Sequence, residues 1–271
     1  MTFRMAADNV YFTESALASA DAVVSGGMYI DNYTGITSMK IRLMSDEPLI
    51  IENGDFTRDP SRTETEGTAT VAKQCYFVSH GSTTYTRYSA ADGQLKNIAL
   101  WYGPGSVVPE AGVVEDADSS FLSFDIRIPQ GTPAGVYRCY ISDGYEILES
   151  GMKSPDLFVY DGSGDRTEVA LEDCEIIVEP AAMRGDVDCN GVVDVLDAQS
   201  ALQYYATVTL GHMGSNAALI RSVLRTPYVH TAIEAADILK DGSIDLIDTM
   251  AILRYYADGL SHLSPVWEDY I

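Results

Sequence analysis

GDVDCNGVVDVLDAQSALQYYA, residues 185–206, and ADILKDGSIDLIDTMAILRYYA, residues 236–257, are two copies of one pattern. Laid in register they match Asp186 with Asp237, Gly191 with Gly242, Asp194 with Asp245 and Asp197 with Asp248, and both end in Tyr-Tyr-Ala. In the first copy Asp186, Asp188, Asn190, the Val192 carbonyl, Asp194 and Asp197 stand at positions 1, 3, 5, 7, 9 and 12 of a twelve-residue loop, with Gly191 at position 6. That spacing turns alternate oxygen ligands inward around a hard cation, and glycine at position 6 permits the sharp bend. A ligand set made only of oxygens points to calcium rather than to zinc or copper.

The second copy keeps Asp237, Asp241, Gly242, Ser243, Asp245 and Asp248 but has Leu239 at position 3, so its site is expected to be weaker or partly hydrated. Both copies close with Asp at position 12, a shorter arm than the usual Glu. Each loop runs into a helical pattern, Ala198, Ala201, Leu202 and Tyr205 in one and Met250, Ile252, Leu253 and Tyr256 in the other. Two short helices cannot hide all of these together with Val195, Leu196, Leu246 and Ile247, so an apolar strip should stay exposed as a protein-binding face. Between the copies, residues 208–235 carry helix signals of their own. The spacing predicts a helix over 216–225 before Pro227, then a capping box at Thr231-Ala232-Ile233-Glu234.

Upstream, from Met28 to Val178, the texture is that of strands divided by Gly, Pro, Asn and Asp. Met39, Ile41 and Leu43 alternate with Lys40 and Arg42, and Leu122, Phe124, Ile126 and Ile128 alternate with Ser123, Asp125 and Arg127, as half-buried strands require. Further strands are expected at 70–79, 96–102, 136–142, 157–160 and 175–178, with turns at Asn53-Gly54, Asp92-Gly93 and Asp143-Gly144. The whole reads as a multi-domain chain: an all-β sandwich over residues 1–180, then a small all-α calcium-loop unit over residues 181–271.

The chain has 271 residues, with 17 Lys and Arg against 40 Asp and Glu and a net charge of −23. Such a surface repels phosphate backbones and anionic lipid, so neither nucleic acid nor a membrane surface is an expected partner. No apolar stretch approaches the roughly 18 residues needed to span a bilayer. Residues 1–19 lack a basic start followed by an apolar run, so an exported protein would be in trimmed form. Cys75, Cys139, Cys174 and Cys189 form no CxxC pair; disulfides and buried free thiols both remain open. His80, His212, His230 and His262 have no GxSxG, HExxH or Cys-His setting, and no enzyme is expected. Tyr76, Tyr85, Tyr88, Trp101 and Tyr102 could form a sugar-stacking platform or simply core and rim.

Over Arg184 to about Tyr256 the duplicated loop-then-helix pattern resembles a dockerin, the two-repeat EF-hand-like (F-hand) calcium module that binds cohesin domains in cellulosomes. The resemblance implies partner contacts at Val195, Leu196, Leu202, Gln203 and Thr207 in the first copy and at Leu246, Ile247, Leu253, Arg254 and Asp258 in the second. Hydrophobic pairs at loop positions 10 and 11 look more like the ruminococcal type than the Ser/Thr pairs of many clostridial ones. The insert is longer than the usual connection and resembles enlarged dockerins that dock against a neighbouring module; a plain surface elaboration is the other reading. Terminal aromatics in dockerins often clasp the opposite end of the domain, which would be the role of Leu263, Trp267 and Tyr270, with a second contact surface for Trp267 as the alternative. The segments MYIDNYTGITSMKIRL and LSFDIRIPQGTPAGVYRCYIS look like strands of a cohesin jelly roll, whereas residues 56–95 match no named pattern. The resemblances together imply a secreted, non-catalytic cellulosome component for polysaccharide degradation. A cohesin of a scaffoldin would hold its C-terminal module, and the N-terminal module would bind a dockerin, bind polysaccharide, or serve as an X-type stalk.

Overall fold

The computed structural model describes residues 1–32, 36–56, 58–66, 69–74, 85–91, 94–102, 120, 122–147, 150–161, 165–211, 216–261 and 264–270. The chain divides into two compact units, residues 1–10, 19–132 and 137–176 in one, and residues 11–18, 133–136 and 177–271 in the other. The strands in chain order are β1 (Thr2–Ala7), β2 (Tyr11–Thr13), β3 (Ala22–Asp31), β4 (Ile36–Ser45), β5 (Ile50–Phe56), β6 (Arg58–Glu66), β7 (Ala69–Gln74) and β8 (Tyr85–Ala91). They continue as β9 (Gln94–Tyr102), β10 (Leu122–Ile128), β11 (Gly135–Ile141), β12 (Tyr145–Ile147), β13 (Lys153–Pro155), β14 (Phe158–Asp161), β15 (Ala170–Glu172) and β16 (Cys174–Glu179). A short helix, α1 (Glu14–Leu17), follows β2.

Two sheets form a β-sandwich, one ordered β15-β1-β3-β10-β5 and the other β2-β16-β11-β4-β9-β8 with β14 added on β4. β10 shows why the alternating stretches fold this way: Leu122, Phe124, Ile126 and Ile128 are buried and Ser123 faces out. Phe3, Met5, Ile41 and Leu43 bury in the same manner, while in β16 Ile176, Ile177 and Val178 are all buried. The strands begin at Thr2 rather than Met28, because β1 and β2 pair in parallel with β15 and β16 from the far end of the β region. Asn53-Gly54 is not a turn. It lies inside β5, where Ser123 pairs with Asp55 but Asp125 with Glu52, so β5 accommodates an extra residue as a bulge. Residues 92–93 lie outside the described residues; β8 and β9 on either side are antiparallel partners. Cys139, Cys174 and Cys189 are free thiols, and burial pushes Cys174 and Cys189 up to about 11. Cys75 lies outside the described residues.

The second unit holds α2 (Val195–Tyr204), which continues as a π-helical turn over Tyr205–Thr209, then α3 (Ala217–Leu224), α4 (Val229–Ala236) and α5 (Leu246–Leu260). Its core joins Val187, Ala198, Ala201, Leu224, Ala232, Ile238, Ile244 and Ile252. α3 starts where the sequence indicates, with Asn216 Oδ1 accepting from Ala218 N and Leu219 N, and it ends at Arg225 in a left-handed conformation. The capping box expected at Thr231 is absent. α4 begins three residues earlier, with Tyr228 at the N-cap position, and the buried Thr231 hydroxyl donates to the Pro180 carbonyl at 2.9 Å instead. Trp267 stacks on Tyr255 with centroids 4.0 Å apart, and Tyr270 Oη donates to Asp258 at 2.6 Å. Gly185, at φ +85°, leaves the space that the Trp267 ring fills, so the tail closes over the start of the first repeat. Among the described residues no helix is long and apolar enough to cross a membrane.

Candidate functional site

Each loop is built from carboxylates that accept backbone N–H groups. In the first, Asp186 takes Asn190 N at 3.0 Å and Gly191 N at 2.9 Å, and Asp188 takes Asn190 N at 3.1 Å. Asn190 Oδ1 takes Val192 N at 2.9 Å. Asp197, fully buried, takes Val187 N at 2.7 Å, Asp188 N at 3.1 Å and Asp194 N at 2.7 Å. Asp194 accepts from Leu196 N at 2.6 Å, so Asp194 and Asp197 form a reciprocal capping box at the start of α2. Gly191, at φ +89°, makes the turn that a side chain would strain.

These bonds gather carboxylate oxygens of Asp186, Asp188 and Asp197 within 4.8 Å of one another. Burial raises the Asp197 carboxyl to about 6, and the charge of Asp188 adds to this against the backbone N–H groups that oppose it. Burial likewise raises Asp188, with Asp186 and Asp194 contributing. Like charges crowded in a desolvated pocket are held apart from their ordinary ionisation, and a hard cation would relieve both causes. The triad, with the Asn190 side chain and nearby backbone carbonyls also oxygen donors, fits such an ion. Asp194 lies outside the triad, its Oδ1 turned to the α2 cap.

The second loop repeats the bonds accepted at positions 1, 5, 9 and 12, without the one that Asp188 accepts at position 3. Asp237 takes Asp241 N at 3.2 Å and Gly242 N at 3.0 Å, and Asp248 takes Ile238 N at 2.8 Å, Leu239 N at 3.1 Å and Asp245 N at 3.0 Å. Asp245 accepts from Ile247 N at 2.6 Å and caps α5. The Ser243 hydroxyl and amide both donate to Asp241, which holds that carboxyl below its ordinary range. Gly242 has φ +87°, matching Gly191. Leu239 replaces the position-3 carboxylate, and no second carboxylate triad is found among the described residues.

The expected contact positions stand on the outside. Val195, Leu196, Leu202, Leu246, Ile247 and Leu253 are 39% to 57% exposed, and Gln203 and Arg254 are exposed beside them. Thr207 sits in the π-helical turn, and Asp258 is engaged by Tyr270. Met250, at 52%, extends the strip along α5 and is one of the helical apolar residues that stay exposed. Sequence reasoning missed Glu179. Its buried carboxylate lies 3.0 Å from His230 N and 3.2 Å from His230 Nδ1, and this pairing gives His230 its place. His80, His212, His262, Leu263 and Tyr76 lie outside the described residues, as do the side chains of Tyr85, Tyr88, Trp101 and Tyr102.

No protein-family model matches this sequence, and no curated protein matches it. Among solved structures the chain is similar to a non-cellulosomal cohesin from the hyperthermophilic archaeon Archaeoglobus fulgidus, at 10% identity and TM-score 0.34, over 66% of this chain and 91% of that one. It is similar to a chain of the Coh-OlpC–Doc435 type I cohesin–dockerin complex from Clostridium thermocellum, at 11% identity and TM-score 0.37, over 66% and 94% of the two chains. It is similar also to the seventh ScaB type I cohesin from Pseudobacteroides cellulosolvens, at 12% identity and TM-score 0.36, over 67% and 95%.

Proposed function

We propose that the chain is a non-catalytic assembly protein whose helical unit, residues 181–271, is a dockerin-type module that binds calcium and then docks onto a cohesin of an extracellular scaffoldin. The observation that carries this reading is the repetition: two loops whose carboxylates at positions 1, 9 and 12 accept corresponding backbone hydrogen bonds, each with an exposed apolar pair at positions 10 and 11, Val195-Leu196 and Leu246-Ile247. The first site is assigned Asp186, Asp188, Asn190, the Val192 carbonyl, Asp194 and Asp197, and the second, weaker one Asp237, Asp241, Ser243, Asp245 and Asp248. Calcium supplies the positive charge that lets these carboxylates stay ionised side by side. Asp194, Asp197, Asp245 and Asp248 also cap α2 and α5, so a filled loop steadies the helices that present Leu202, Gln203, Leu253 and Arg254.

The sandwich, assigned residues 1–180, is read as an adaptor module that accepts a dockerin, on the cohesin-like segments within residues 28–43 and 122–142. Titrating the full chain into ruminococcal and clostridial cohesins with calcium, then with excess EDTA, tests the docking reading. Binding should fall at least 100-fold in chelator, and Ile247→Asp should cost about 2 kcal/mol as an interface-centre residue. Unchanged binding in EDTA would overturn the calcium dependence, and binding to no cohesin would overturn the partner. The same chain against dockerins and polysaccharides decides whether the sandwich is an adaptor, a sugar binder or a stalk.

A further inference from the structure

We propose that Glu179 is a positioning residue for the second loop: by capping α4 it sets the geometry of Asp237, and with it the calcium affinity of residues 237–248. The inference rests on the calcium reading of the repeats. α4 has no side-chain cap of its own, since Tyr228 at the N-cap makes no such bond. The first turn of a helix leaves N–H groups unpaired and carries the positive end of the helix dipole. Glu179, the last residue of β16, places its buried carboxylate there and accepts from His230 N at 3.0 Å. A carboxylate taken out of water needs this charge-assisted partner, and the helix end needs the acceptor. Around the contact, Thr231 Oγ1 donates to the Pro180 carbonyl, the Tyr11 ring meets the His230 ring edge-on at 4.6 Å, and Arg221 reaches Tyr11 Oη at 3.4 Å.

The far end of α4 is the second loop. Asp237 caps the C-terminus of α4, its N–H bonded to the Ile233 carbonyl at 3.2 Å, and its carboxylate opens the loop by accepting from Asp241 N and Gly242 N. The helix between is about 12 Å long at 1.5 Å per residue. Ala232, Ala235 and Ala236 are wholly buried along it, so it shifts as a rod rather than bending. Lys240 Nζ donates to the Glu234 carbonyl at 2.8 Å, which fixes this end to the second loop itself, and Gly185 N, just ahead of the first loop, donates to the Ala235 carbonyl at 2.8 Å. The first loop has no entering helix: Asp186 follows a turn closed by its own N–H on the Met183 carbonyl. With one oxygen ligand fewer, Leu239 standing at position 3, the second loop depends more on having its remaining ligands held in place.

The test is calorimetric calcium titration of the full chain, with circular dichroism as the check on folding. Glu179→Ala should weaken the lower-affinity site about tenfold and move the higher-affinity site less than twofold, while Glu179→Gln, which keeps an acceptor at the cap, should recover part of the loss. Asp188→Asn should show the converse, weakening the stronger site alone. If Glu179→Ala does not fold, Tyr11→Ala and the exposed His230→Ala make the same comparison, with a smaller selective loss at the second site. A folded variant set that leaves the second site unchanged, or weakens both sites equally, overturns the proposal. A wild-type chain with no calcium site overturns the reading beneath it.

Discussion

The two loops share the hydrogen bonds accepted at positions 1, 9 and 12 and differ most at position 3, where Asp188 in the first stands against Leu239 in the second. Position 5 is Asn190 in one and Asp241 in the other, so each loop carries four carboxylates. Positions 1, 9 and 12 accept the same backbone N–H groups in both, and the left-handed residues recur in pairs, Cys189 with Lys240 and Gly191 with Gly242. The shape of the loop therefore belongs to Asp186, Asp194 and Asp197 and their counterparts Asp237, Asp245 and Asp248. Asp188 adds charge to a shape that stands without it. Scaffold and ligand are separable roles within one set of carboxylates, and each loop isolates a different mixture of them.

The largest expected effect tests the scaffold. Asp197→Ala removes the acceptor of three backbone N–H groups, those of Val187, Asp188 and Asp194, and Asp248→Ala does the same to Ile238, Leu239 and Asp245. Buried donors left unpaired cost about 1–3 kcal/mol each, short of additive, so each variant should lose on the order of 3 kcal/mol. In EDTA both should melt roughly 10 °C lower than the wild-type chain in EDTA. If either variant melts with the wild type once calcium is removed, its position-12 carboxylate is a ligand only and the separation of roles fails.

This local logic is also why the repeats are legible in the sequence. Ligand types at fixed offsets, with glycine at the bend, are a short-range code, and Asn216 capping α3 is another. β10 is legible for a similar reason, its alternation needing only one buried face. β2 is not, because its three residues gain strand geometry only from Ile177, Val178 and Glu179, which lie far along the chain. The start of α4 is hidden in the same way. Thr231 and Glu234 match a capping box in type and spacing, but Glu179 supplies the cap from 51 residues upstream and the helix begins earlier. Asn53-Gly54 reads as a turn because the dipeptide is a common turn signal, and the register shift of β5 against β10 that absorbs it depends on a strand far along the chain.

A smaller effect follows from exchanging the residues at position 3. Leu239→Asp restores a carboxylate at position 3 of a loop already shaped to receive it, and should strengthen the weaker calcium site about tenfold, or ~1.4 kcal/mol. Asp188→Leu should weaken the stronger site by a similar factor. Calorimetry on the full chain reads both. If Leu239→Asp leaves the second site unchanged, something other than ligand count limits it, and the α4 anchor becomes the explanation to pursue.

The smallest effect is in the metal-free chain and has a defined sign. Burial, then the charge of Asp188, raises Asp197 to about 6 in the folded chain, above the roughly 3.9 of an unfolded Asp. Between those values the folded state holds the extra proton, so the stability this group contributes is present at low pH and is lost as pH rises through about 6. Asp188→Asn removes one of the raising charges. In EDTA its melting temperature should therefore gain on the wild-type chain as pH goes from 4.5 to 7, by on the order of 2 °C. Leu239→Asp sets a like charge beside Asp248 and should do the reverse, losing ground to the wild type over the same pH range. Subtracting the wild type at each pH cancels the titration of the other carboxylates, which leaves the position-3 charge as the variable. Parallel curves for both variants would mean that the crowding of Asp186, Asp188 and Asp197 carries no energetic cost, and that the two loops differ in ligand count alone.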